Sequence, residues 1–297
     1  MDIISYFFEG ENISMKKYYI KNKYTYFAIA IGVILLISSC LLRYYEIGFF
    51  DLIFNFDVYA PDLSGNGAII RKEYINSYIK DVDMNMTVML YYFTEFACII
   101  PLIATLFLHD EIHSRFINFS FTRNNSNKII FSKFSKVIVI ASIIAVIPLA
   151  LIMLIVFFIS DSNMTTNTSA LSLFSDILGF NLADINICLY YLAYLLVYFI
   201  FCIAYSTFSV GISTIVDKKF LVILLGYAYY NAMSYYIPNL LSQLFNTPNI
   251  IDYLGSYNTI TSFGITDMPT YLIFTPLIIP FFIGIILIYV FSKRIKI

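Results

Sequence analysis

Long runs without a charge alternate with short polar stretches along this chain. Six of the runs are apolar over the roughly 20 residues that a helix needs to cross a bilayer. They cover Tyr24–Leu42, Val88–Leu108, Val137–Ile159, Ile187–Val216, Phe220–Leu241 and Tyr271–Phe291. None alternates in period two as a barrel strand does, so the pattern predicts helices. The first run is too long for the apolar region of a signal peptide, and no small-x-small cleavage site follows it. The expectation is an all-α polytopic membrane protein with six transmembrane helices, forming one membrane domain over residues 1–297.

The polar stretches divide that domain. Residues 1–23 form an amphipathic N-terminus, and 43–87 form a long loop with seven acids. Within that loop "YAPDLSGNG" is rich in turn residues, and "IIRKEYINSYIKDV" reads as a short helix. Residues 109–136 separate the second and third runs, and 242–270 precede the last. "LSGNG" at 63–67 looks like the signature of ABC ATPases, but no phosphate-binding G-x-x-x-x-G-K-[ST] loop exists anywhere in the chain.

Charge sets the orientation. Of the 18 basic residues, 14 fall on one side if the N-terminus is cytoplasmic, and only Arg43, Arg71, Lys72 and Lys80 fall on the other. Basic residues favour the cytoplasmic side, so both termini and the 109–136 segment are expected there. The 19 acids divide the other way, six inside and twelve outside, with Glu95 within a run. The formal charge of −1 therefore hides about +8 inside (14 − 6) against −8 outside (4 − 12). At 60% hydrophobic and 12% charged, the composition is far from that of a soluble protein, and no nucleic-acid partner is expected. Cys40, Cys98, Cys188 and Cys202 all sit in apolar runs and read as buried thiols.

Candidate chemistry centres on "LHDEIHSRF", Leu108–Phe116, which holds the chain's two histidines. His109 and His113 share one face of a helix, as in H-E-x-x-H zinc sites. There the glutamate directly follows the first histidine; here Asp110 does, and Glu111 comes one residue later. No further histidine or cytoplasmic cysteine signals a third ligand, so two polar residues at a helix end is the stronger reading. Onward, Glu111, Arg115, Asn118 and Thr122 make a polar stripe at helical period, and Ile112, Phe116 and Phe119 line another face. "NNS" then marks a turn, with Asn125 or Ser126 able to cap the next helix. An amphipathic helix and a tight turn at the membrane surface result.

This order of residues resembles the permease subunits of ABC-type exporters, the six-span class that pairs with a separate ATPase. Their second span ends in an acidic residue, followed by a Gly-Thr-like step, an apolar stretch, Thr-Arg-Pro-x-Ser-Arg and a Gly-Lys. Here stand Glu111, Ser114-Arg115, "INFSF", Thr122-Arg123-Asn124-Asn125-Ser126 and Ser132-Lys133. Asn124 replaces the usual proline, and Ser114 and Ser132 replace glycines. The resemblance implies a cytoplasmic coupling helix between spans two and three that docks into the ATPase. Its docking residues would be Glu111, Arg115, Phe116, Phe119, Thr122 and Arg123. It also implies two ATPase copies that bind ATP and Mg, a second permease copy or a related permease, and no catalysis or cofactor in this chain.

Within the runs Glu95 stands out, because a carboxylate near the bilayer centre is costly unless paired, protonated or facing water. It reads equally as a translocation-path contact and as a structural hydrogen bond. Tyr191, Tyr194, Tyr198, Phe201 and Tyr205 fall on one helical face, and Tyr227, Tyr230, Asn231 and Ser234 on another. Helix packing explains such faces first; the wall of a translocation path, through Tyr191, Tyr194, Tyr198, Tyr227 and Asn231 beside Glu95, is the alternative. Pro101, Pro148, Pro276 and Pro280 should kink their helices.

Competing classes are a secondary transporter or channel using Glu95, and an intramembrane metalloenzyme using His109 and His113. The first would be expected to carry several buried charges, broken helices or an internal repeat; the sequence shows one buried charge, Glu95, and no repeat. The aromatic faces and the acidic outer loop favour a cationic amphipathic substrate such as an antimicrobial peptide, exported or expelled for self-immunity. Lipids, glycolipids and drugs are the other substrates of such permeases. Richness in Ile, Asn, Lys, Tyr and Phe suggests an AT-rich bacterial genome, hence the bacterial cytoplasmic membrane.

Overall fold

The computed structural model describes residues 22–60, 63, 65–80, 85, 88–89, 92–113, 126–159, 187–246 and 274–294. Every regular element among them is helical. In chain order they are α1 (Lys23–Glu46), α2 (Phe49–Phe54), α3 (Gly67–Lys80), a π turn (Tyr92–Phe96), α4 (Ile99–Ala104) and α5 (Leu106–His113). Then follow α6 (Ser126–Ile159), α7 (Ile187–Ser213), α8 (Lys219–Asn231), a second π turn (Ala232–Tyr236), α9 (Ile237–Phe245) and α10 (Thr275–Arg294). Among the described residues five stretches are long and apolar enough to cross a membrane: α1, α6 from Phe131, α7 from Cys188, α8 through α9, and α10. By length and composition this is a multi-pass membrane protein.

The apolar run Val88–Leu108, expected as one helix, is instead broken into the π turn, α4 and α5. The cause is Pro101, which has no N–H to donate to the carbonyl four residues back. That carbonyl belongs to the fully buried Ala97. It accepts a hydrogen bond from the Tyr198 hydroxyl of α7 at 3.2 Å, and Tyr92 in turn donates to Tyr198 at 2.8 Å. A second break at Thr105 is closed similarly, its hydroxyl donating to the Leu102 carbonyl at 2.8 Å beside Ser209 of α7 at 2.7 Å. A hydroxyl from neighbouring α7 thus replaces the rung that the proline removes, and a local hydroxyl serves at the second break, as a membrane interior requires.

The run Phe220–Leu241 also differs from a plain helix. Its π turn runs up to Pro238, which sits in the first turn of α9. α6 is described from Ser126, well before Val137; Asn124 and Asn125 of the "NNS" turn lie outside the described residues. The stretch read as a short helix in the 43–87 loop is α3. Cys98 and Cys202 are buried, but Cys188 lies exposed at the start of α7, a correction to its reading as a buried thiol.

Small residues let the helices close. A Cβ on Gly284 of α10 would sit 2.5 Å from the Thr207 carbonyl oxygen, and one on Gly211 of α7 would sit 2.8 Å from the Gly284 Cα. The two backbones therefore touch, the usual device of membrane helix packing. On the other side of the bundle, a Cβ on Gly32 of α1 would meet Ile100 at 2.5 Å and Pro148 at 2.7 Å. Between these contacts lies an aromatic core in which Phe201, Tyr205 and Tyr230 pack edge to face and tilted, with centroids 4.5–6.1 Å apart.

Candidate functional site

Two polar sites stand out, one at each end of the bundle. At the first, the start of α1, the end of α5, the early part of α6, the end of α7 and the start of α8 come together. Asn22 caps α1 by accepting from the Tyr24 amide at 3.1 Å, which fixes Tyr24 at the helix entrance. The Tyr24 hydroxyl donates to Asp110 Oδ2 at 3.0 Å. Lys219 closes the triangle by pairing with Asp110 and donating to the Tyr24 hydroxyl, and its ammonium lies 4.9 Å from the centre of the Tyr24 ring. Alongside, Lys133 pairs with Glu111 at 2.7 Å, both side chains mostly covered. Covered pairs of this kind are stronger than surface ones, because solvent screens them less.

The two histidines complete this collar. Nε2 of His109 lies 2.9 Å from the Val216 carbonyl oxygen, and Nε2 of His113 lies 3.0 Å from that of Ser213. A carbonyl only accepts, so both Nε2 atoms carry protons, and in the neutral rings the lone pair lies on Nδ1. They satisfy carbonyls at and just beyond the end of α7, Ser213 in its last turn and Val216 in the turn that follows, where the helix dipole favours such donors. The rings sit 4.3 Å apart, and His113 Nδ1 faces the Asp217 carboxylate at 3.5 Å. Burial holds the His109 imidazole below its ordinary pKa; the Val216 bond opposes this, His113 and Lys219 reinforce it, and Asp110 opposes it. "HDEIH" thus fastens α5 to its neighbours.

Of the residues expected to dock a motor, only Glu111 is described, and it is engaged within the chain by Lys133. Arg115, Phe116, Phe119, Thr122 and Arg123 lie outside the described residues, as do 1–21 and most of 242–270. What the structure does show is that the two helices flanking residues 114–125 are bolted together at Glu111 and Lys133. Asp110, Lys219, Tyr24 and Lys133 escaped the sequence reading as site residues. Lys133 entered there only through a motif, and Lys219 only through the charge count.

At the opposite end the two π turns meet. Tyr235 donates to Glu95 Oε1 at 3.1 Å. Beside this bond an open pocket of about 570 Å³ has Glu95 on one wall and Asn231, Tyr235, Asn239 and Gln243 on the other, with Tyr236 and Leu240 at its rim. Glu95 and Asn231, both read from the sequence as path residues, are brought together here. Asn231 is oriented by its own bond to the Tyr227 carbonyl at 3.0 Å. Tyr191, Tyr194 and Tyr198 are not on this pocket; they are buried in the core at 5%, 2% and 0% exposure, and Tyr227 is half-buried outside it. Comparison with protein-family models, curated proteins and solved structures finds no match for this chain.

Proposed function

We propose that this chain is the membrane subunit of an ATP-driven exporter of the ABC type. In this reading it crosses the bacterial cytoplasmic membrane six times with both termini inside. It works with a second permease copy or a related permease, and with two copies of a separate ATPase that binds ATP and Mg. Residues 114–125 form the coupling segment, with Arg115, Phe116, Phe119, Thr122 and Arg123 meeting the motor. Membrane lipid surrounds the bundle, and the substrate is amphipathic, a cationic antimicrobial peptide being favoured.

One observation carries this reading: the Glu111–Lys133 pair joins the helices that enter and leave residues 114–125. A docking hairpin transmits force only if its two stems move as one body. The Asp110–Lys219–Tyr24 triangle extends that grip to the starts of α1 and α8, so a push on the hairpin would reach most of the bundle. Glu111 then acts as an anchor of the stem and not as part of the docking surface.

Transport in proteoliposomes with the partner ATPase tests the proposal. Phe116→Ala and Arg115→Glu should abolish transport and ATPase stimulation while the protein still folds. Interface anchors of this kind are worth about 2 kcal/mol or more, roughly a thirty-fold loss in affinity. Robust ATP hydrolysis by the isolated chain, or full transport by both variants, would overturn the reading.

A further inference from the structure

The pocket between the π turns sets a carboxylate, one oxygen of which is held by the structural hydrogen bond from Tyr235, opposite a polar wall. Glu95 lies inside an apolar run, and its described partner is the Tyr235 hydroxyl on Oε1. Among the described residues no lysine, arginine or histidine forms an ion pair with it. A carboxylate within an apolar run calls for a donor or a cation.

The facing wall is regular. Asn231, Tyr235, Asn239 and Gln243 follow one another at four-residue steps. In an uninterrupted α-helix each such step drifts by about 40°, so the four would spiral away from one side. The wider π turn at Ala232–Tyr236 takes up the first of these steps and turns it the other way, which offsets the drift of the later ones. A polar ladder is thereby kept on one side of an otherwise apolar crossing, facing the carboxylate. The rim is apolar and open, with Tyr236 74% and Leu240 57% exposed. The volume of about 570 Å³ is that of a site for a small molecule or a headgroup.

The geometry points to a binding site for the primary ammonium group of an amphiphile. The ammonium has three N–H groups, which it supplies to the Glu95 carboxylate and to the nearest amide oxygens of the ladder; Asn231 and Gln243, roughly 18 Å apart along the helix, line the pocket without sharing one ammonium. The attached chain leaves along Leu240 and Tyr236 towards lipid. A quaternary ammonium fits less well, because it has no N–H and is recognised by aromatic cages, whereas this wall is mainly carboxylate and amide. An ammonium of this kind is carried by an ethanolamine lipid headgroup or by a lysine of an amphipathic peptide. The inference deepens the exporter reading by naming the group its substrate would present, but the site stands or falls without a motor.

The chain has no tryptophan, so Leu240→Trp places a single fluorescent reporter on the rim. The full chain carrying it, in phosphatidylcholine nanodiscs without any ATPase, is titrated with octylammonium bearing a nitroxide quencher at its far end. The matching nitroxide-octanol reports simple partition into lipid. Saturable quenching by the ammonium alone is expected. Glu95→Gln keeps the shape and the bond to Tyr235 but removes the charge. It should weaken saturation at least about tenfold, as expected when one member of a covered charge pair is neutralised. Tyr235→Phe frees the carboxylate's orientation while keeping its charge, and should weaken binding less than Glu95→Gln does.

Two competition arms identify the source of the ammonium. Displacement in discs containing phosphatidylethanolamine points to the lipid, and displacement by a lysine-bearing amphipathic peptide, but not by its glutamine analogue, points to a peptide. Equal quenching by the octanol probe, undiminished affinity in Glu95→Gln, or displacement by neither competitor would overturn the assignment. A dead motor with an intact ammonium site would count against the exporter reading alone.

Discussion

The Tyr198 hydroxyl donates to the Ala97 carbonyl that Pro101 leaves without its helical partner. The pairing spans two helices and removes a buried unsatisfied acceptor, which would cost about 1–3 kcal/mol if left bare. Tyr198→Phe should therefore destabilise the protein by about that amount in a mild detergent. Pro101→Ala restores an N–H to the ladder, so the same Tyr198→Phe change should cost much less in that background. A double-mutant cycle by denaturation measures this, and an undiminished cost would refute the account.

The long apolar runs were legible because hydrocarbon demands unbroken apolar faces; α1, α6, α7 and α10 fall where their runs place them. The broken second run was signalled by Pro101, but its repair was not, since nothing local to Ala97 points to a tyrosine about a hundred residues on. Pro238, beside the other π turn, gave a similar hint. Of the pocket, Glu95 was visible as a lone charge and Asn231 as part of a polar face. Asn239 and Gln243 escaped because repeated four-residue steps drift off one face of a regular helix, and the π turn that offsets the drift has no local signal beyond Pro238. The Asp110–Lys219 pair joins residues far apart in sequence, where spacing carries no information.

Charge reversal tests the collar. Lys133→Glu places two carboxylates together between α5 and α6 and should abolish coupled transport. Adding Glu111→Lys restores an opposite pair in reversed order. Transport by the double variant should recover well above that of either single one. If each single variant transports normally, the pair does not hold the stems.

Stability should depend on pH through His109. Its folded pKa lies below the ordinary value of 6.5, so the unfolded chain binds the proton more tightly. The contribution is fully present above about pH 6.5 and is lost as pH falls through the folded value. Melting temperature in detergent should drop between about pH 7.5 and 5.5, and His109→Gln should flatten that slope. His113, Asp110, Asp217 and Lys219 stay in place in the variant and serve as the internal control. An unchanged slope would show that another group titrates.

Topology is open to direct labelling in a background without native cysteines. Ser64→Cys and Asn249→Cys should react with an impermeant thiol reagent in intact cells, while Asn125→Cys should react only after lysis. Equal labelling at Asn125 and Ser64 would reverse or abolish the assigned sidedness.

The backbone contact between Gly211 and Gly284 also dictates an order of events during synthesis. Membrane helices insert one by one and associate afterwards. When α7 enters the bilayer, the partner that fits its glycine notch has not been translated. Until α10 arrives, that notch faces lipid or whatever escort the cell provides, and ribosomes that stall before residue 275 release a bundle with one side open. The last helix is the one that shuts the bundle.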